Sequence, residues 1–194
     1  PGTRNIDPRL HLIFDMGHAI HKMLQTYGEL GAWGPYYKKE VELSPETNEF
    51  AHRYMIEASV DADHILVIDD IPNHPVTYEL GIVHEYKSSN SNNFDKLTGP
   101  KPEHQKQASI YSEGLDRPVV VYLYLNKNDQ NIAEFAVPYE RSHWATIEGK
   151  ARSLVDSYHA ETPPVADPGF HCQECQFSLT CQPYIEYSSL RRRR

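Results

Sequence analysis

Three observations predict an α/β fold with a mixed central β-sheet flanked by helices. Val119 to Leu125 is a continuous apolar run between Pro118 and Asn126, the mark of a strand buried on both faces. Residues 11 to 31 carry apolar side chains at helical spacing. Val83 to Lys87 reads as a strand end, with Val83, Glu85 and Lys87 on one face and His84 and Tyr86 on the other. The predicted order is helix, strands, helix, strand, helix, which suits a sheet covered by helices.

In the first helix Leu12, Ile13, Phe14, Met16, Ile20, Met23, Leu24 and Tyr27 form the apolar stripe, and Gly28 and Gly31 are stops. Residues 32 to 50 read as loop and short extended pieces, punctuated by Pro45 and Asn48. Tyr54 to Ile68 turns strand-like. Asp69 to Pro75 is a turn region, and Val76 to Lys87 is a second strand. Ser88 to Pro102 is Asn- and Ser-rich and reads as a loop. A helix follows over 102–114 and closes on Gly114. Strands are expected over 118–126 and 135–139, then a long helix over 139–158. Ala160 to Gly169 is a proline-containing linker. The expectation is one domain over 1–194, with a C-terminal cysteine-cluster segment, 160–185, inside it.

The 194 residues are enough for one sizeable core. No apolar run approaches the roughly 18 residues that span a bilayer, and no signal peptide is visible at the start. The first residue is Pro1 rather than Met, so upstream residues are expected beyond this sequence. A net charge of −8 argues against a generally basic nucleic-acid binder. It leaves room for a nuclease, because an acidic metal site can sit in a local basic groove. Arg191 to Arg194 is the only charge run and reads as a solvated end. All three cysteines fall between Cys172 and Cys181, a poor disulfide framework and a better metal or cluster site. That favours a reducing, intracellular compartment.

The chemistry starts from the carboxylates. Mg²⁺ and Mn²⁺ take oxygen ligands, commonly one or two carboxylates with water and substrate phosphate. Glu85 beside Lys87, with an Asp from a neighbouring strand, meets that need. The ion would acidify a bound water, and Lys87 could orient that water or hold the scissile phosphate. Taken alone, Glu-x-Lys on a strand is equally the pattern of a surface ion pair. His21, in Gly17-x-x-x-His21, offers a neutral imidazole as a further ligand, or is an ordinary core histidine. Gln107 and Tyr111 stand one helical turn apart, placed to contact phosphate or steady the lysine, or simply to fill an amphipathic helix.

The ordered set Gly17-x-x-x-His21, Asp63, Glu85-x-Lys87 and Gln107-x-x-x-Tyr111 resembles the PD-(D/E)XK nucleases of the RecB-like branch. Tyr124-Leu125-Asn126-Lys127 is similar to the strand that follows the Gln-Tyr helix there. Cys172-x-x-Cys175-x5-Cys181 resembles the cysteine spacing of the CRISPR-associated RecB-like exonucleases (the Cas-four type) and their phage relatives. The resemblance covers nearly the whole chain and implies a restriction-endonuclease-like core. It implies that His21, Asp63 and Glu85 bind Mg²⁺ or Mn²⁺, that Lys87 is the catalytic lysine, and that Gln107 and Tyr111 complete the site. Asp63 is taken over Asp61 because Ala62-Asp63-His64-Ile65-Leu66 looks like the family's pattern; regular alternation would put both on one strand face.

The resemblance further implies that Cys172, Cys175 and Cys181 hold three corners of a [4Fe–4S] cluster. Such a cluster usually takes four thiolates; in the family the fourth comes from an N-terminal cysteine, here expected outside the sequence. The alternative is Zn²⁺ on the three cysteines and His171. The implied function is a metal-dependent deoxyribonuclease, an exonuclease acting on DNA ends or single strands. The implied setting is the cytoplasm, that of the host if the protein is phage-encoded, with no membrane partner. A homo-oligomer or a recombination or virion partner is compatible. The competing class is a structural or assembly protein of a phage particle or recombination complex that keeps the nuclease fold. A cysteine-based transcription regulator would need a basic recognition helix near the cysteines, and none is present.

Overall fold

The computed structural model describes residues 8–31, 36–68, 78–169, 172, 173, 175 and 177–191. The predicted turn at 69–75, His171 and the end of the arginine run lie outside them. In chain order the elements are α1 (Pro8–Leu30), β1 (Tyr37–Leu43), α2 (Glu49–Tyr54), β2 (Ala58–Ile68), β3 (Tyr78–Ser89) and α3 (Ser91–Phe94). They continue with α4 (Pro102–Leu115), β4 (Val119–Asn126), β5 (Ile132–Pro138), α5 (Arg141–His159) and α6 (Gln182–Arg191). The α/β architecture with a mixed, helix-flanked sheet is as expected. Four elements go beyond the sequence reading: β1 is a full strand within the stretch read as loop and short extended pieces, α2 forms at the end of that stretch, α3 forms a single turn at the start of the polar 88–102 stretch, and α6 follows the cysteines.

The sheet runs β1-β2-β3-β4-β5. The first three strands are antiparallel neighbours, β3 and β4 are parallel with α4 as their crossover, and β5 returns antiparallel to β4. A parallel pair needs such a crossover because the chain must travel back to the starting end. On one face Leu43, Val60, Val83, Val120, Tyr122 and Tyr124 pack with Ala108 and Tyr111 of α4. On the other, Tyr86, Leu123 and Leu125 pack with Leu24 of α1. β4 is therefore covered on both faces, which explains its unbroken apolar run.

One local break in this pattern matters for the site. Val60 belongs to the α4 face, yet Ala62 lies opposite His84, a residue of the α1 face. Two residues apart in a regular strand would share a face. In β1 likewise, Leu43 faces α4 while the Tyr37 hydroxyl meets that of Tyr86. Both reversals fall at one level of the sheet: Glu40 takes a left-handed φ of 51°, and continuing the register places Asp61 beside it. A left-handed non-glycine residue costs about 1–3 kcal/mol and is held only by its surroundings. Here Gln25 Nε2 donates to Glu40 Oε1 (2.6 Å) and to the Asp61 carbonyl (3.1 Å), and Ser59 Oγ donates to Glu40 Oε2 (3.0 Å). The expectation that Asp61 and Asp63 share one strand face fails at this kink.

The chain forms two compact units, Pro1–Gly149 and Lys150–Arg194. The first contains the sheet. In the second, the Cys175 N–H meets the Cys172 carbonyl (3.2 Å), and ahead of α6 the Cys181 N–H meets that of Phe177 (2.8 Å). No helix among the described residues is long and apolar enough to cross a membrane.

Candidate active site

β3 brings the acid and the lysine together. Glu85 is fully buried, at 0 % exposure, with its Oε1 against Lys87 Nζ. Its Oε2 meets no hydrogen-bond donor among the described residues. Burial drives the Glu85 carboxyl up to about 7; the Lys87 charge pulls against it, Asp61 adds to it, and His21 also lowers it. A buried carboxylate with one cationic partner and an empty lone-pair direction is costly to keep charged. It is also what a divalent cation would satisfy.

α4 braces the lysine. Lys87 Nζ donates to Gln107 Oε1 (3.1 Å), and Gln107 Nε2 donates to Tyr111 Oη (2.8 Å). Gln107 and Tyr111 are four apart on the helix face that meets β3, so one amide spans lysine and phenol. Burial, and then the Glu85 charge, push the Tyr111 phenol up to about 12, so it stays protonated. The chain Glu85–Lys87–Gln107–Tyr111 fixes the ammonium in one place.

α1 supplies the imidazole. His21 Nδ1 lies 3.1 Å from Asp61 Oδ1. A carboxylate only accepts, so Nδ1 carries the hydrogen and the neutral ring keeps its Nε2 lone pair for a cation. Asp61 Oδ2 accepts the Tyr86 N–H (2.7 Å), anchoring the carboxylate beside the Glu85 backbone. Gln25, one turn beyond His21, holds the kink from which Asp61 projects.

Asp63 lies elsewhere. Arg117 grips it with Nε on Oδ1 (2.6 Å) and Nη2 on Oδ2 (2.9 Å). Room for that side chain comes from Gly81, where a Cβ would run into Arg117 Cδ. Of the predicted residues, Glu85, Lys87, Gln107 and Tyr111 thus form one connected set. His21 joins through Asp61, and Asp63 is engaged in a separate ion pair. Sequence reasoning missed Gln25 and Arg117. The i, i+4 spacing of His21 and Gln25 could have found the first; nothing local marks the second.

Among the described residues no three His, Cys, Asp or Glu side chains converge into a ready-made metal cage. Mg²⁺ seldom needs one, because it keeps water and phosphate among its ligands. Glu85 Oε2, unmatched by any described donor, is an oxygen that such an ion could use. The cysteines do not show a comparable fit. Cys175 is exposed, Cys172 and Cys181 are half-buried, and all three are free thiols. Among the described residues the Gly169 N–H reaches Cys172 Sγ, at 3.4 Å.

No family model matches this chain, and no curated protein does. Among solved structures it is similar to LHK-Exo in complex with dAMP, at 16% identity, with 82% of this chain and 73% of that one covered and a TM-score of 0.53. It also aligns with SSO0001 (22% identity, 86% and 69% covered, TM-score 0.49). A second LHK-Exo structure, described as an alkaline exonuclease from Laribacter hongkongensis, aligns at 17% identity over 74% and 64%, with a TM-score of 0.46. The LHK-Exo–dAMP likeness is one of fold.

Proposed function

We propose that this chain is a metal-dependent DNA nuclease that hydrolyses phosphodiester bonds at the Glu85–Lys87 site. The observation that carries the reading is the buried Glu85 carboxylate, lacking a second partner and paired with a lysine that Gln107 and Tyr111 hold in place. The fold likeness to an exonuclease solved with a nucleotide supports it. Glu85, Asp61 and His21 would hold Mg²⁺ or Mn²⁺, which supplies a more acidic water and positive charge at the phosphate. Lys87 presents its ammonium to a phosphate oxygen or to the attacking water, and the Gln107 carbonyl keeps it from swinging away. In this reading Asp61 takes the role the family pattern gives Asp63.

The finer reading is an exonuclease of the RecB-like branch working on DNA ends or single strands. It is supported by the order of the motifs. The expected result is cleavage of linear DNA by the intact protein in Mn²⁺ or Mg²⁺, abolished by EDTA. Shortening from the ends rather than internal nicking identifies an exonuclease. An intact, metal-loaded protein that leaves both single- and double-stranded DNA uncut points instead to the structural or assembly role.

A [4Fe–4S] cluster on Cys172, Cys175 and Cys181 is proposed on their spacing alone. Anaerobic purification should then give iron and acid-labile sulfide in equal amounts, both lost in Cys175→Ala. Zinc without iron would favour the alternative metal, and protein free of both removes the proposal.

A further inference from the structure

One turn before Gln107 on the same face of α4 stands His104, which the catalytic reading does not use. Its Nδ1 lies 2.8 Å from Tyr124 Oη. That hydroxyl also accepts the Lys101 N–H, at 3.0 Å. The phenol's one hydrogen is available to His104 Nδ1, in the tautomer that carries the ring hydrogen on Nε2. Nε2 has no partner among the described residues, and the ring is only half-buried. Burial, and then the neighbouring Lys87 charge, hold the imidazole down at about 4, opposed by Glu103 and reinforced by Lys101. The ring is a neutral, directed donor beside the catalytic lysine.

The ground next to it suits a phosphate chain. Residues 93–102 wall a hollow of about 380 Å³ that includes Asn93, Lys96 and Lys101. Between 87 and 106 the chain carries four lysines and two acids, on a protein whose net charge is −8. The Tyr124 ring is buried against Phe135, so the anchor for His104 and Lys101 belongs to the core rather than to a loop.

We propose that His104, oriented by Tyr124 beside Lys87, donates its Nε2–H to a phosphate of the bound DNA strand, whose backbone runs through the hollow at 93–102. The proposal rests on the nuclease reading above and adds the path of the substrate. His104 is a substrate-contacting residue on this account. Neutral-donor contacts position a strand, whereas Lys101 contributes charge.

The test combines two measurements on the full chain. One is the affinity for a short single-stranded oligonucleotide in Ca²⁺, by fluorescence anisotropy. The other is steady-state cleavage in Mn²⁺. His104→Ala should weaken binding about tenfold and raise KM more than it lowers kcat. His104→Gln, whose amide reaches the Nε2 position, should recover most of the affinity. Lys101→Gln should lower the slope of log affinity against log salt by about 0.7, and His104→Ala should leave that slope unchanged. Wild-type cleavage with unchanged affinity and KM in His104→Ala overturns the substrate path and leaves the nuclease standing. Equal losses in His104→Ala and His104→Gln, at wild-type melting temperature, also overturn it. A wild type that neither binds nor cuts DNA in metal removes both readings.

Discussion

Glu85→Gln should abolish metal-dependent cleavage, lowering kcat by about a thousandfold or more at unchanged fold. The amide matches the carboxylate in size but brings no charge, and with its carbonyl turned to Lys87 its N–H₂ occupies the direction a cation would need. A divalent ion that loses its buried anionic ligand loses several kcal/mol of charge stabilisation, and each 1.36 kcal/mol is tenfold in rate. Lys87→Ala should be equally inactive while retaining cation binding, since it removes the ammonium and not the ligand. Cleavage retained in both variants would remove the site.

The same substitution has a second, independent readout. Glu85 is pushed up to about 7 in the folded protein, by burial first, against an ordinary value near 4.3 when unfolded. Between those values the folded state binds more protons than the unfolded state. Stability is therefore full below about pH 4.3 and is lost as pH rises through about 7. In metal-free protein this group should cost roughly 3 kcal/mol at pH 8 relative to pH 4. Glu85→Gln should lack that slope, so the difference between the two urea-unfolding profiles isolates it. Cation affinity in wild type should fall about tenfold per unit below pH 7, because a proton must then be displaced. Parallel stability profiles for wild type and variant would show that Glu85 is not the buried, proton-holding group.

How far the sequence reached depends on whether a feature is local. β4 was legible because an unbroken apolar run maps onto a strand covered on both faces. α1 and α4 were legible as helices from local spacing and stops, although of the α1 stripe only Leu24 is buried, while Leu12, Ile13, Phe14, Met16, Met23 and Tyr27 are exposed. Glu85-x-Lys87 and Gln107-x-x-x-Tyr111 were legible for the same reason: each pair sits on one face of one element. β1 was not. Its buried residues, Tyr37 and Leu43, lie on opposite faces of the sheet although they are six apart, because the alternation reverses at Glu40. α2 has six residues, too few for a helical period to show. The same kink separates Asp61 from Asp63, which regular alternation would put on one strand face. A left-handed glutamate carries no signature in the sequence, and the amide of Gln25 that supports it comes from another element.

The choice between Asp61 and Asp63 yields the sharpest separation of site from scaffold. Asp61→Asn should weaken Mn²⁺ binding and lower cleavage by about a hundredfold or more, with little loss of stability. Asparagine can still accept the Tyr86 N–H through its carbonyl, so the strand contact survives while the charge goes. Asp63→Asn should do the reverse. Its carboxylate is almost fully buried under a two-bond grip from Arg117, and neutralising it leaves that guanidinium without its counter-charge. Breaking a buried pair by removing one partner costs about 3–5 kcal/mol. Arg117 keeps 23% of its side-chain exposure, so water recovers part of this and the expected loss is about 2–3 kcal/mol. Calorimetric titration with Mn²⁺ and urea midpoints on the two variants measure both effects. Loss of metal affinity in Asp63→Asn, with affinity kept in Asp61→Asn, would restore Asp63 as the ligand and require Arg117 to release it. In that event Arg117→Ala should tighten Mn²⁺ binding; if Asp63 serves only the scaffold, Arg117→Ala should instead destabilise the fold and leave the affinity where it was.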